Sequence, residues 1–271
     1  MDVALFEKAR LARDARYDGR FFTGVTSTGI YCRPICPAPA PKASHVKYFL
    51  SAAAAAEAGF RPCLRCRPEA SPGTPAWMGS SSSVSRALRL IGEGALDNAG
   101  VEDLAARLGI GARHLRRLFL RYLGATPVAV AQTRRVHFAK RLIDETSLPM
   151  TEVALASGFS SIRRFNATFR KLYGRTPSEL RALSPTSRTC QEPGHYTFRL
   201  AYRPPYVHRE YRRKISIDGR SGRIAVRSVR GRNQVELRIE FPEPAALLRI
   251  VNDVRRRLDL AGLDRERQDI E

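Results

Sequence analysis

Four of the five cysteines in this chain sit in two short stretches, YCRPIC at residues 31–36 and FRPCLRCR at residues 60–67. The spacing is Cys32-x3-Cys36, then 26 intervening residues, then Cys63-x2-Cys66. Two close pairs let two chain turns deliver the four tetrahedral ligands that zinc takes, and soft thiolates select Zn²⁺ over harder cations. On spacing alone a structural Cys₄ zinc site fits best, an iron–sulfur cluster fits less well, and chance clustering fits least.

The flanks suggest chemistry beyond a structural knot. Arg33, Arg61, Arg65 and Arg67 surround the cysteines, and Tyr31 and Phe60 precede the two pairs. Four thiolates around one divalent ion leave a net negative centre, which nearby cations moderate; the same cations could hold a phosphate. Zinc keeps its thiolates deprotonated at neutral pH, so one of them is a standing nucleophile. Alkylating that sulfur gives a neutral thioether and removes one negative charge. Repulsion toward DNA phosphates then falls, and a methyl group could act as an electrostatic switch.

TGIYCRPIC followed by AGFRPCLRCRPE resembles the metal-binding domain of the Ada methylphosphotriester repair proteins, over roughly residues 1–70. That resemblance implies one Zn²⁺ per chain held by Cys32, Cys36, Cys63 and Cys66. It implies that Cys32 accepts a methyl group irreversibly from a methylphosphotriester in DNA, a single-turnover transfer. One departure is the PAPAPK run after Cys36, where some relatives carry arginines; Lys42 is the cation nearest in sequence.

These residues need elements to position them. At 271 residues, with 43% hydrophobic content, the chain has room for two to three domains with real cores. It holds 47 Lys and Arg against 26 Asp and Glu, a net charge of +21, and the excess is spread over every segment. A polyanion partner is the simplest reading, because phosphate neutralisation releases counterions; the rival is a generically arginine-rich protein. No apolar run approaches the roughly 20 residues of a membrane span, and the charged start is no secretory signal. A cytoplasmic location with reduced thiols is expected, which favours metal over disulfides. Residues 1–22 read as an amphipathic helix. SAAAAAEAG at 51–59 reads as a short helix stopped by Gly59.

Pro, Gly and Ser concentrate at residues 71–83 and again at 184–194, so three segments are expected: 1–70, 84–183 and 195–271. In the second segment, VEDLAARLGIGARHLRRLFLRYLGATP reads as helix, turn, helix, with Gly109 as the breaker. The pattern recurs about fifty residues on, in MTEVALASGFSSIRRFNATFRKLYGRTPSEL. There Thr151 with Glu152 suits a helix start, and Ser160 or Ser161 suits the next cap. Val128–Asp144 reads as a long connecting helix. Each second helix, about Ala112–Tyr122 and Ser161–Tyr173, carries polar, mostly basic side chains off its apolar stripe: Arg113, His114, Arg116 and Arg117 in one, Arg163, Arg164, Asn166 and Arg170 in the other. A repeated helix-turn-helix with basic second helices is a DNA-reading layout, though a plain helical bundle with solvated charges shares its pattern. The segment resembles the AraC-type transcriptional regulators, which implies two recognition helices in successive major grooves.

In the third segment YTFRLAYRPP, RKISIDG, GRIAVRSV and QVELRIEF alternate with period two, as strands of an antiparallel sheet. Glu243–Leu260 then reads as an amphipathic helix with Pro244 in its first turn and a stripe of Leu247, Leu248, Val251, Val254 and Leu258. YRPPY and the strand order resemble the N-terminal domain of AlkA-type glycosylases. In that family the catalytic aspartate lies in a later domain, and the stretch after Tyr206 looks shortened, so no base release is expected. Cys190 reads as a free thiol.

The expected fold is multi-domain α+β: a small zinc-binding α/β domain, an all-α double helix-turn-helix domain, and a C-terminal antiparallel sheet with one helix. The expected function is a DNA alkylation-damage response. Cys32 takes the methyl group, and the methylated protein activates repair genes on double-stranded DNA, with RNA polymerase as partner and no membrane role. The alternative is an AraC-type transcription factor whose zinc is purely structural.

Overall fold

The computed structural model of the chain describes residues 2–71, 82–97, 99–183, 192–204, 210–229, 233–258 and 260. Most of the two expected linkers, Cys190 and Tyr206 lie outside that set. The described residues form two compact units, 1–134 and 135–271.

The first unit opens with α1 (Val3–Leu11), capped by the Asp2 carboxylate on the Leu5 N–H at 3.0 Å. The helix expected over residues 1–22 is therefore shorter, and a 3₁₀ turn at Ala15–Tyr17 follows it. The strands β1 (Phe22–Val25), β2 (Ile30–Cys32), β3 (Val46–Phe49) and β4 (Arg61–Pro62) make a sheet in the order β3-β1-β2-β4. Its pairings are antiparallel except β2 with β4. Between β3 and β4 lies α2 (Ala52–Glu57), the expected short helix, with Gly59 at φ +87° beyond its end. Ser51 caps it by accepting from the Ala54 N–H at 3.0 Å, and its hydroxyl donates to the Leu123 carbonyl at 2.7 Å. Phe22, Tyr31, Ala52, Ala55 and Phe60 form a small core under this sheet.

A second core in the same unit joins α2 to the helices that follow: α3 (Ser82–Gly92), α4 (Val101–Arg107) and α5 (Ala112–Leu123). Ala53 and Ala54 of α2 pack with Val84, Leu104, Leu115 and Phe119, so the first helix-turn-helix shares apolar surface with the cysteine-bearing segment. The long connecting helix is present as α6 (Pro127–Glu145), and the division between the units falls inside it.

The second unit holds α7 (Met150–Ala156), α8 (Ile162–Tyr173) and α9 (Pro177–Ala182), then β5 (His195–Ala201), β6 (Tyr211–Ile217), β7 (Arg220–Ser228), β8 (Gln234–Glu240) and α10 (Leu247–Arg257). The four strands form the expected antiparallel sheet, in the order β5-β8-β7-β6. Two boundaries differ from expectation. Helix α7 begins at Met150 with Pro149, not Thr151, at its cap. Pro244 starts a 3₁₀ turn that precedes α10. One continuous core joins Phe138 and Leu142 of α6, Phe165 and Phe169 of α8, Phe198 and Leu237 of the sheet, and Val251 and Val254 of α10. Apolar surface thus couples the second helix-turn-helix to the sheet, where the sequence suggested separate segments.

Candidate metal centre and DNA-facing helices

Cys32 ends β2, opposite Thr23 of β1. A turn closed by the Cys36 N–H on the Arg33 carbonyl at 3.1 Å returns the chain so that Cys36 faces the same point. Cys63 follows β4, where its N–H donates to the Tyr31 carbonyl at 3.0 Å. The Arg67 N–H then closes the second turn on the Cys63 carbonyl at 3.0 Å and brings in Cys66. The four Sγ atoms all lie within 4.8 Å of one another.

That cluster suits a tetrahedral ion. Zn–S bonds of about 2.3 Å place four sulfurs roughly 3.8 Å apart. The acidities point the same way. Crowded against one another, the thiols split: hydrogen bonding from Cys32 brings Cys36 down to about 7 and pushes Cys63 lower still. Cys32 and Cys66 are driven up, chiefly by Cys36 and by Cys32 respectively. Without a cation the four cannot all ionise; a divalent ion resolves the conflict. Cys63 and Cys66 are buried, whereas Cys32 and Cys36 are half-exposed.

The four arginines near the cysteines have different roles. Arg33 is not available to a phosphate. Its side chain is 7% exposed and bound to both carboxylate oxygens of Asp18, one at 2.8 Å. It also donates to the Cys66 carbonyl at 3.1 Å, while its backbone N–H reaches Cys66 Sγ at 3.4 Å. It organises the cysteine loops from inside. Arg67 is half-buried and paired with Glu69 at 3.2 Å. Arg61 and Arg65 are exposed. The loop after Cys36 has more cations around it than sequence neighbours suggested. Besides exposed Lys42, Arg13 donates to the Ala38 carbonyl at 3.2 Å and Arg10 to the Pro41 carbonyl at 3.4 Å. Sequence reading missed Asp18, Arg13 and Thr23, whose buried hydroxyl has no hydrogen-bond partner. Only the fold brings them to the cysteines.

Helices α5 and α8 are laid out alike. Gly109 at φ +70° and Gly158 at φ +79° make the turns before them, and Gly124 and Gly174, both left-handed, end them. Ser161 caps α8 by accepting from the Arg164 N–H at 3.4 Å. Leu115, Phe119 and Leu123 are buried on α5, and Phe165, Phe169 and Tyr173 on α8. Arg113, His114, Arg116 and Arg117 are exposed on α5, as are Arg163, Arg164 and Arg170 on α8, with Asn166 half-exposed. Arg116 pairs with Glu102 of α4 at 2.7 Å, and Arg117 lies 2.9 Å from His114 Nδ1.

Comparison with known proteins agrees with this layout. The family described as the metal binding domain of Ada matches residues 6–69, and a helix-turn-helix domain family matches residues 104–183. The bifunctional transcriptional activator/DNA repair enzyme AdaA of Bacillus subtilis is 32% identical over 182 residues, covering 67% of this chain and 84% of that protein. The chain belongs to the Ada family. A second relative is the probable bifunctional transcriptional activator/DNA repair enzyme AlkA of Mycobacterium tuberculosis, 43% identical over 230 residues. The match covers 84% of this Ada-family chain and 45% of the mycobacterial protein. The bifunctional Ada enzyme of Escherichia coli is 32% identical over 171 residues, covering 63% of this chain and 47% of that protein. The chain thus spans about half the length of these last two relatives. Among described residues, no helix is long and apolar enough to cross a membrane.

Proposed function

We propose that this Ada-family chain repairs methylphosphotriesters in DNA by a single, irreversible transfer to Cys32 and that the methylated form activates transcription. The observation that carries the reading is the four-cysteine cluster, with Cys32 half-exposed and two exposed cations near it in the chain, Arg61 on β4 and Arg65 on the turn after it. A zinc ion held by Cys32, Cys36, Cys63 and Cys66 would keep their sulfurs deprotonated at neutral pH. The Cys32 sulfur then attacks the methyl carbon of the phosphotriester. An S–C bond forms as the C–O bond breaks, and the electron pair leaves on oxygen as a phosphodiester anion. No proton moves and no base is needed. Arg61 and Arg65 bear on the phosphate, and Arg33 holds the loops still. The thioether cannot be undone by the same route, so each chain acts once.

Transfer removes one negative charge from the cluster, which lowers repulsion toward duplex phosphates; α5 and α8 then hold a promoter more tightly. Contact with RNA polymerase completes activation in this scheme. We assign no base release to residues 195–271. The two carboxylates on the outer face of the sheet strands, Glu236 and Glu240, are paired with arginines.

The test is peptide mass spectrometry after mixing zinc-loaded protein with methylated duplex. A methyl group is expected on the Cys32 peptide, absent from the other cysteines and absent in Cys32→Ser. An unmodified Cys32 in protein shown to hold one zinc leaves a regulator with a structural metal.

A further inference from the structure

The outer face of the C-terminal sheet has a feature that methyl transfer does not use. On β5, β7 and β8 alternate residues enter the core and the others face outward, while on the edge strand β6 Tyr211, Ile215 and Ile217 pack against the core and Arg212 and Lys214 lie in register with the outward residues. The register sets the outward residues in three rows across the sheet. Arg199, Glu236 and Arg227 make one; Thr197, Arg238, Ala225 and Arg212 the next; His195, Glu240, Arg223 and Lys214 the third. Six cations therefore meet two carboxylates. Glu236 is shared by Arg227 at 2.8 Å and Arg238 at 2.9 Å, and Glu240 pairs with Arg223 at 2.8 Å. No described carboxylate pairs with the side chains of Arg199, Arg212 or Lys214. Lys214 also stands directly opposite Arg223, a like-charge pair that works against the sheet's own stability.

We propose that this face is a second DNA-docking surface that grips the phosphate backbone of a duplex without reading bases. Rows lie about 6.7 Å apart and strands about 4.8 Å apart, so three rows over four strands form a low-relief grid roughly 13 Å by 14 Å. A duplex of that length carries about eight phosphates. Arginine and lysine at such spacing neutralise phosphates, the contacts that position a duplex without reading its sequence. The same unit presents Arg163, Arg164 and Arg170 on α8, whose apolar side enters the core shared with the sheet. One folded unit thus offers DNA two basic surfaces. The sheet supplies sequence-independent affinity, which keeps the chain on DNA while it searches for rare lesions.

The experiment uses the full zinc-loaded chain and an undamaged random-sequence duplex, with affinity read by fluorescence anisotropy across a salt series. Replacing Arg199→Gln, Arg212→Gln and Lys214→Gln together should weaken binding at least tenfold near 0.1 M salt. It should also flatten the log–log salt slope by about 2–3, roughly 0.9 per lost phosphate contact. Glu236→Gln with Glu240→Gln should do the reverse, tightening binding and steepening the slope. A matched triple on α10, Arg249→Gln, Arg256→Gln and Arg257→Gln, removes the same charge elsewhere on the unit. An unchanged slope in a sheet triple that keeps the parent's circular dichroism and melting overturns the proposal. So does an equal loss from the α10 triple, which would mean bulk charge alone. Methyl transfer to Cys32 at saturating DNA should be intact in the sheet triple, so this test and that of the transfer fail separately.

Discussion

Both carboxylate oxygens of Asp18 hold the guanidinium of Arg33, in a site that water hardly reaches; the Cys32 sulfur, one residue earlier, is half open. Adjacent residues at a strand end point to different sides, so Arg33 serves the interior while Cys32 is left open for the proposed transfer. Removing one member of a buried ion pair leaves an uncompensated charge, which costs about 3–5 kcal/mol. Asp18→Ala should therefore destabilise the zinc-loaded protein on that scale in chemical denaturation, and Arg33→Lys, with Asp18 in place, should also be less stable than the parent, because a single ammonium cannot make the forked contact. Arg61→Gln with Arg65→Gln should leave stability within about 0.5 kcal/mol while slowing methyl transfer. If Asp18→Ala unfolds no more easily than the parent, the structural role given to Arg33 is wrong. The cysteine ligands were legible because their pattern is short and local. The division of labour among the arginines was not, since Asp18 lies 15 residues before its partner and only the folded sheet brings them together.

Elements were legible where period and punctuation agree. The two helix-turn-helix units show an apolar stripe, a glycine turn and a glycine stop, and each feature has a counterpart in the structure. The first residue of α7 and the 3₁₀ turn before α10 were not legible, because several polar residues suit a helix start and the choice among them depends on packing. Gly124 and Gly174 end the two second helices in nearly the same conformation, at φ +65° and φ +66°. They differ in what surrounds them. A Cβ on Gly174 would meet nothing within 4 Å, so Gly174→Ala should cost only the left-handed strain, about 1–2 kcal/mol. A Cβ on Gly124 would lie 3.3 Å from the Ala54 Cβ of α2, so Gly124→Ala adds a contact that must give way. Thermal denaturation of the two variants should show Gly124→Ala as the more damaging. Equal losses would mean that α2 yields freely at that contact.

At the scale of the whole molecule, apolar surface is shared across the sequence's own punctuation. The sequence marked out the three segments, yet α2 shares a core with the first helix-turn-helix, and the C-terminal sheet shares one with the second. Polar residues follow the same pattern in the second unit. Lys140 and Asp144 of α6 form a buried pair at 2.6 Å, and Arg141 lies over the Phe198 ring while donating to the Arg199 carbonyl at 3.4 Å. Next to these on α6 is His137, whose pKa burial, and then the charge of Arg255, bring down from 6.5 to about 4. The folded state therefore resists a proton that the unfolded chain accepts. The stability tied to neutral His137 is complete above pH 6.5 and is lost as pH falls through about 4. Part of the residue still meets solvent, so the loss stays below the ~3 kcal/mol that such a shift carries in a sealed site. Carboxylates titrate over the same range, and the comparison that isolates the histidine is with His137→Gln, which has nothing to protonate there. Melting curves of the parent and the variant should run parallel above pH 6.5 and converge or cross toward pH 4, the parent falling faster. A constant gap over that interval would show that His137 titrates alike in the folded and unfolded chains, and that the packing of α6 in the second unit is looser than this structure has it.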